Sequence, residues 1–175
     1  PPLPEVVITE EMRSAFHGAV DRGNEAVVKD LLDKAPALIE TRDAAGGTAL
    51  ITAAWRNDVD MARALVDRGA DVNAKKPDGW AALHFAVIRE SPPMARLLLR
   101  SGADPDIAKA DKGTPLHAAV DTGQKDMVAL LIEEGADVNA KKTDGWTPLS
   151  FAEFRNVADI EAMLRKHGAT AEGGR

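Results

Sequence analysis

Four histidines and no cysteine bound the chemistry open to this chain of 175 residues. His17, His84 and His117 fall in one slot of the regular spacing described below, so a metal site or a general base is the first chemistry to weigh. Metal ligands must converge within about 2 Å of one ion, whereas residues one packed helix apart stand roughly 10 Å from each other. That spacing makes the three histidines structural groups, and no metal is expected. His167 falls beside a helix C-terminus, where partial positive charge is favourable. The carboxylate pairs Glu133-Glu134 and Asp58 with Asp60 fall at helix termini and read as solvated charge. No phosphate loop, nucleophile motif or zinc signature occurs, and Gly173-Gly174 belongs to a tail. The missing cysteines remove disulfides, thiolate nucleophiles and cysteine-ligated zinc. Neither enzyme activity nor a cofactor is expected.

Composition narrows the partners. Apolar residues make up 45% and charged residues 29%, the balance of a folded soluble domain. The length suits one ordinary domain or a short stack of repeats sharing a continuous core. With 22 basic against 28 acidic residues the net charge is -6, so the broad positive field that gathers phosphates is missing and nucleic acid is not expected. No apolar run approaches the roughly 18 residues that cross a bilayer. The opening PPLPEVVITEEM has neither a basic head nor an apolar signal core, so no membrane is expected and the cytoplasm is the default compartment. A first residue of proline rather than methionine is compatible with a chain taken from something longer.

The elements that position any site come from one dominant period. Leu50, Leu83, Leu116 and Leu149 are each 33 residues apart, and Ala53, Ala86, Ala119 and Ala152 keep the same step. So do Gly69, Gly102, Gly135 and Gly168. A step of 34 back from Leu50 reaches Phe16, the start of a degenerate first copy. Each unit holds two short stretches with apolar residues at helical spacing, such as Leu116, Ala119, Val120 and then Met127, Leu130, Leu131, split by a breaker such as Gly123. Two antiparallel helices per unit follow. Thr48, Thr114 and Thr147 open the first helix in three copies and are expected to cap it with their hydroxyls. Pro115 and Pro148 occupy the first helical position, which needs no amide hydrogen, and glycine ends the second helix.

The strings Gly113-Thr114-Pro115-Leu116-His117-Ala118-Ala119 and Gly135-Ala136-Asp137-Val138-Asn139-Ala140 resemble the signature of the ankyrin repeat, in phase over residues 10 to 169. The resemblance implies an all-α solenoid of five helix-turn-helix repeats joined by outward β-hairpin loops, with a concave inner face. Repeats are expected at about 10–42, 43–75, 76–108, 109–141 and 142–169, with an N-terminal extension over 1–9 and a frayed tail over 170–175. It also implies that the repeated histidine hydrogen-bonds backbone around its hairpin. Asn73 and Asn139 resemble the context that asparaginyl hydroxylases use, although a structural role is the expectation. One pair of helices cannot bury its apolar stripe alone, so stability should sum over repeats and their interfaces.

Departures from the pattern carry information. The first unit has Phe16 in the leucine slot and Ala35-Pro36 in place of glycine, and the last has Ser150 in the histidine slot with Glu153 and Arg165 at apolar positions. Both suit ends that face water. Lys112 stands where Gly46, Gly79 and Gly145 recur, so that hairpin is expected to take its own shape.

Residues not consumed by stacking mark the expected contact surface. Trp80 and Trp146 hold matching hairpin positions, while Trp55, Ile88, Asp121 and Phe154 form one row at 33-residue spacing. Arg22, Arg56, Arg89, Thr122 and Arg155 form the row beside it, and Asp78, Asp111 and Asp144 line the hairpins. An alternative reading has Trp80 and Trp146 packing back on neighbouring hairpins and Phe154 covering the last repeat. Trp and Arg are the commonest interface hot spots, so the expected partner is another protein, met by hairpin tips and first helices of a monomeric scaffold. Self-association through the same row, or service as the regulatory or targeting arm of a larger enzyme, are the alternatives.

Overall fold

A computed structural model describes residues 7–170, which form five pairs of α-helices. The pairs are α1 (Glu10–Asp21) with α2 (Glu25–Lys34), α3 (Ala49–Arg56) with α4 (Val59–Asp67), α5 (Ala82–Ile88) with α6 (Pro92–Arg100), α7 (Pro115–Asp121) with α8 (Lys125–Glu133), and α9 (Pro148–Arg155) with α10 (Ala158–Lys166). Among the described residues only the first pair is followed by a 3-10 turn, Pro36–Glu40. Most of the expected extension and tail lies outside the described residues. Thr9 within the extension caps α1 by accepting the Met12 amide. Thr170, expected to fray, is instead held, because its amide donates to Asn139 Oδ1 at 2.9 Å.

The period builds the core directly. Phe16, Leu50, Leu83, Leu116 and Leu149, one from each first helix, are at most 1% exposed, and the alanines Ala19, Ala53, Ala86, Ala119 and Ala152 are fully buried. Small residues there let successive first helices stack in the order α1, α3, α5, α7, α9, while α4, α6, α8 and α10 form a second layer. Met61, Met94, Met127 and Ile160 fill that layer. Burying each such side chain is worth roughly 1.5–3 kcal/mol, and only a neighbouring repeat can cover it.

The ends of the helices are less uniform than the pattern. Of the three threonines expected to cap first helices with their hydroxyls, only Thr147 does so, accepting the Ser150 amide at 3.2 Å. The Thr114 hydroxyl is drawn 2.9 Å from His117 Nδ1, and the buried Thr48 hydroxyl meets no partner. Second helices are capped by side chains of Asn24, Asp58 and Ser91.

The connections between repeats are tight turns, with isolated antiparallel bridges at Arg42–Thr48 and Lys75–Ala81 among the described residues. Each of the four turns is closed by the same two backbone bonds; in the second repeat they are Asp43 N–H to Gly47 O and Gly46 N–H to Asp43 O. The turn at Lys112 does not depart from this shape, contrary to expectation. Lys109 N–H donates to Gly113 O and Lys112 N–H to Lys109 O, both at 3.0 Å, and Lys112 accepts φ +61 where glycines elsewhere adopt +76 to +88. The stack imposes the turn and the lysine bears the strain. Replacing Lys112 by glycine is expected to raise stability by about 1 kcal/mol and the melting temperature by roughly 2–4 °C; a thermal melt with no gain would show the turn unstrained.

Polar side chains stitch each repeat to the next at a fixed offset. Glu40 accepts the Asp71 amide, Asn73 that of Asp104, Asp106 that of Asp137 and Asn139 that of Thr170, at 2.7 to 2.9 Å. The asparagines do more, because Asn73 Nδ2 donates to Gly102 O and Asn139 Nδ2 to Gly168 O, both at 3.0 Å. Asp106 has no hydrogen for Gly135 O, the matching carbonyl, and burial pushes its carboxyl above the usual range. Asp106→Asn is therefore expected to stabilise the stack by about 1 kcal/mol, measured as an upward shift of the urea midpoint; an unchanged or lowered midpoint would show that Gly135 O gains no donor.

Candidate functional site

The histidines that first invited a catalytic reading are locked into backbone. The Ala81 amide can only donate, so His84 Nδ1 accepts from it at 3.2 Å and Nε2–H donates to Gly113 O at 3.3 Å. His117 does the same between Thr114 N–H and Trp146 O, at 3.2 Å each. Each ring thus ties the end of its own hairpin, at the helix start, to the turn of the following repeat. Burial pushes the His84 imidazole down to about 4 and lowers His117 and His17 in the same sense. His17 meets Thr41 Oγ1 at 3.1 Å, with Nδ1 unpartnered. Ser150, in the same slot of the last repeat, keeps half of this function by accepting the Thr147 amide at 2.8 Å. Among the described residues no three His, Asp or Glu side chains gather as a metal-holding group.

The surplus rows are placed unevenly. Trp55, Ile88 and Phe154 are 52%, 40% and 66% exposed. Trp80 and Trp146 are half-buried, each folded onto the first helix of its own repeat. Trp80 stacks on Phe85 with ring centroids 5.1 Å apart, and Trp146 lies 4.9 Å from Phe151. Trp55 meets Phe85 edge to face at 5.6 Å, and Trp146 meets Phe154 at 5.5 Å. Two aromatic clusters result, one at the second and third repeats and one at the fifth. Phe85 and Phe151, which organise them, are absent from the sequence-derived set; the signal for them is the row Thr52, Phe85, Ala118, Phe151, aromatic only where the turn carries tryptophan.

The charged members of the set are largely engaged within the chain. Asp78, Asp111 and Asp144 cap the turns by accepting the amides of Trp80, Gly113 and Trp146. Burial pushes the Asp111 carboxyl up, but the Gly113 amide and Lys142 more than offset this and hold it below its ordinary value. Arg155 pairs with Asp121 at 2.7 Å, Arg56 reaches Asp21 at 3.4 Å, and the Arg89 guanidinium lies 5.4 Å from the Trp55 ring centre. Lys109 Nζ lies 4.5 Å above Trp80. Among the apolar members of the set, Trp55, Ile88 and Phe154 remain the most open.

Stacked helix pairs with a 33-residue period, buried leucine and alanine ladders and repeat-bridging histidines define a class, and comparison with known proteins gives the same one. A family model described as ankyrin repeats, three copies long, matches residues 16–109 and again 83–172. The chain belongs to the ankyrin repeat family. It is similar to the human ankyrin repeat domain-containing protein 29, with 37% identity over 65 residues, which covers 37% of this chain and 22% of that relative. Ankyrin repeats are in general protein-interaction modules, and no helix among the described residues is long and apolar enough to cross a membrane.

Proposed function

We propose that this chain is a non-catalytic module that binds a partner protein across the turns and first helices, from the second repeat to the fifth. The supporting observation is the open row of Trp55, Ile88 and Phe154 on a stack whose other large apolar side chains are mostly consumed by packing. An exposed tryptophan adds little to the free molecule and much to an interface, where such anchors dominate binding energy. Trp80 and Trp146 supply rigid backing through Phe85 and Phe151, and Arg56, Arg89 and Arg155 form the polar margin of the contact. Asp78, Asp111, Asp121 and Asp144 set carboxylates among these arginines, which basic rim residues of a partner would meet.

Trp55→Ala and Phe154→Ala are the clean probes, because both rings are more than half exposed. Each is expected to weaken a captured partner by at least about 2 kcal/mol, roughly thirtyfold, while the melting temperature moves little. Retained capture with a lowered melting temperature would sink the reading.

A further inference from the structure

Two notches on this surface share one register. The first, about 360 Å³, has Gly47 and Thr52 in its lining beside Trp55 and Phe85. The second, about 240 Å³, has Gly113 and Ala118 beside Phe151. Gly47 to Gly113, Thr52 to Ala118 and Phe85 to Phe151 are each 66 residues, two repeats. The notches arise because the third and fifth repeats carry tryptophan and phenylalanine where the second and fourth carry glycine and a small side chain.

Their chemistry differs. The first is lined by Asp21 and Asp43 where the second has Ile88 and Lys109, and by Trp55 where the second has Asp121. The second notch supplies its own cations to its rings, with Lys109 4.5 Å above Trp80 and Lys142 5.6 Å from Phe151. In the first, Asp43 replaces one of those lysines. Its Oδ1 is held by the Ala45 and Gly47 amides at 2.8 and 2.9 Å, while Oδ2 makes no hydrogen bond or ion pair among the described residues. That free oxygen lies 3.4 Å from where a Cβ on Gly47 would stand, which places it over the glycine of the lining. Among the described residues Asp21 is met only by the exposed Arg56, at a long 3.4 Å, a contact that contributes little. Lys76 sets one positive charge against these two carboxylates and leaves the notch acidic.

We infer that the first notch receives a basic side chain, arginine or lysine, of the partner protein, an inference that rests on the binding face proposed above. A cation between aromatic faces and carboxylates gains from both, and Arg89, which does not line the notch, already shows that the Trp55 ring accepts a guanidinium. The register-mate two repeats on, whose lining sets Lys109 and Lys142 against Asp121 alone, provides the internal control.

The test uses the isotope-labelled chain titrated with N-acetyl-arginine amide, and with the citrulline analogue, which keeps the shape and loses the charge. Saturable shifts are expected at Gly47, Thr52 and the Trp55 indole, without matching shifts at Gly113 and Ala118. Asp21→Asn with Asp43→Asn, which retains an oxygen for the turn amides, should weaken the probe at least about tenfold without moving the melting temperature. Equal response to citrulline, equal shifts at both notches, or unchanged affinity in the double variant would overturn the inference. If the arginine probe does not bind while Trp55→Ala still abolishes partner capture, the cationic site falls and the binding face stands.

Discussion

Acidification from about pH 7 towards pH 4 is expected to remove on the order of 3 kcal/mol of stability through His84 alone. The imidazole titrates near 6.5 when the chain is unfolded and is pushed to about 4 by burial in the stack. Between these values the unfolded chain holds a proton that the folded chain refuses. The contribution is therefore complete above about 6.5 and declines steadily as the pH falls towards 4. Geometry supplies the reason, because a proton on Nδ1 would face the Ala81 amide hydrogen it now accepts. His117 and His17 shift in the same direction through burial and steepen the loss. Asp33 and Asp159, held low chiefly by Lys29 and Lys125 respectively, lose their contribution only below the ordinary carboxylate range, in a separate window. Urea midpoints measured across this range should fall with pH for the parent chain. His84→Gln should start lower at neutral pH and show a flatter profile, and an equally steep profile would remove His84 as the source.

The 33-residue step made the framework readable, because stacking forces the same side chain to do the same task in every repeat. Leu83 and Leu116 carry that regularity, and so do the turn glycines whose φ is positive. Contacts set by side-chain reach between repeats were hidden. Asp121 with Arg155 and Asp21 with Arg56 join residues 34 and 35 apart, and nothing in either local string announces them. The slot of Trp80 and Trp146 is not part of the repeat framework, so the sequence leaves both a free contact and packing on a neighbouring hairpin open; the turn folds each back on a phenylalanine five residues later in its own repeat. Asp78, Asp111 and Asp144 looked like rim charge; an aspartate two residues before an amide is also a turn cap, and that is the role the geometry assigns them. At the histidine slot the local pattern was a sound guide to a backbone role and silent on which repeat's turn each ring would hold.

Truncating Leu116 to alanine is expected to cost roughly 3 kcal/mol and to split the stack's unfolding into two steps. Leu116 is fully buried in α7, which packs on α5, α8 and α9. The helices beyond it, α9 and α10, have no repeat on their other side among the described residues; α9 leans on α7 and α10, and α10 on α8 and α9. In a stack whose stability is a sum of neighbour terms, a cavity in the fourth repeat lowers the interface that holds the fifth in place. Tryptophan placement makes this observable, since Trp55 and Trp80 report on one side of the cavity and Trp146 on the other. Replacing Trp146 by phenylalanine in one background, and Trp55 with Trp80 in another, isolates each signal. In the parent the two signals should share one urea midpoint. In Leu116→Ala the Trp146 signal should be lost first, by about 1 M urea or more given slopes of about 1–3 kcal/mol/M. If both signals shift together by the same amount, coupling across the fourth repeat survives the cavity, and the five repeats unfold as a single cooperative unit.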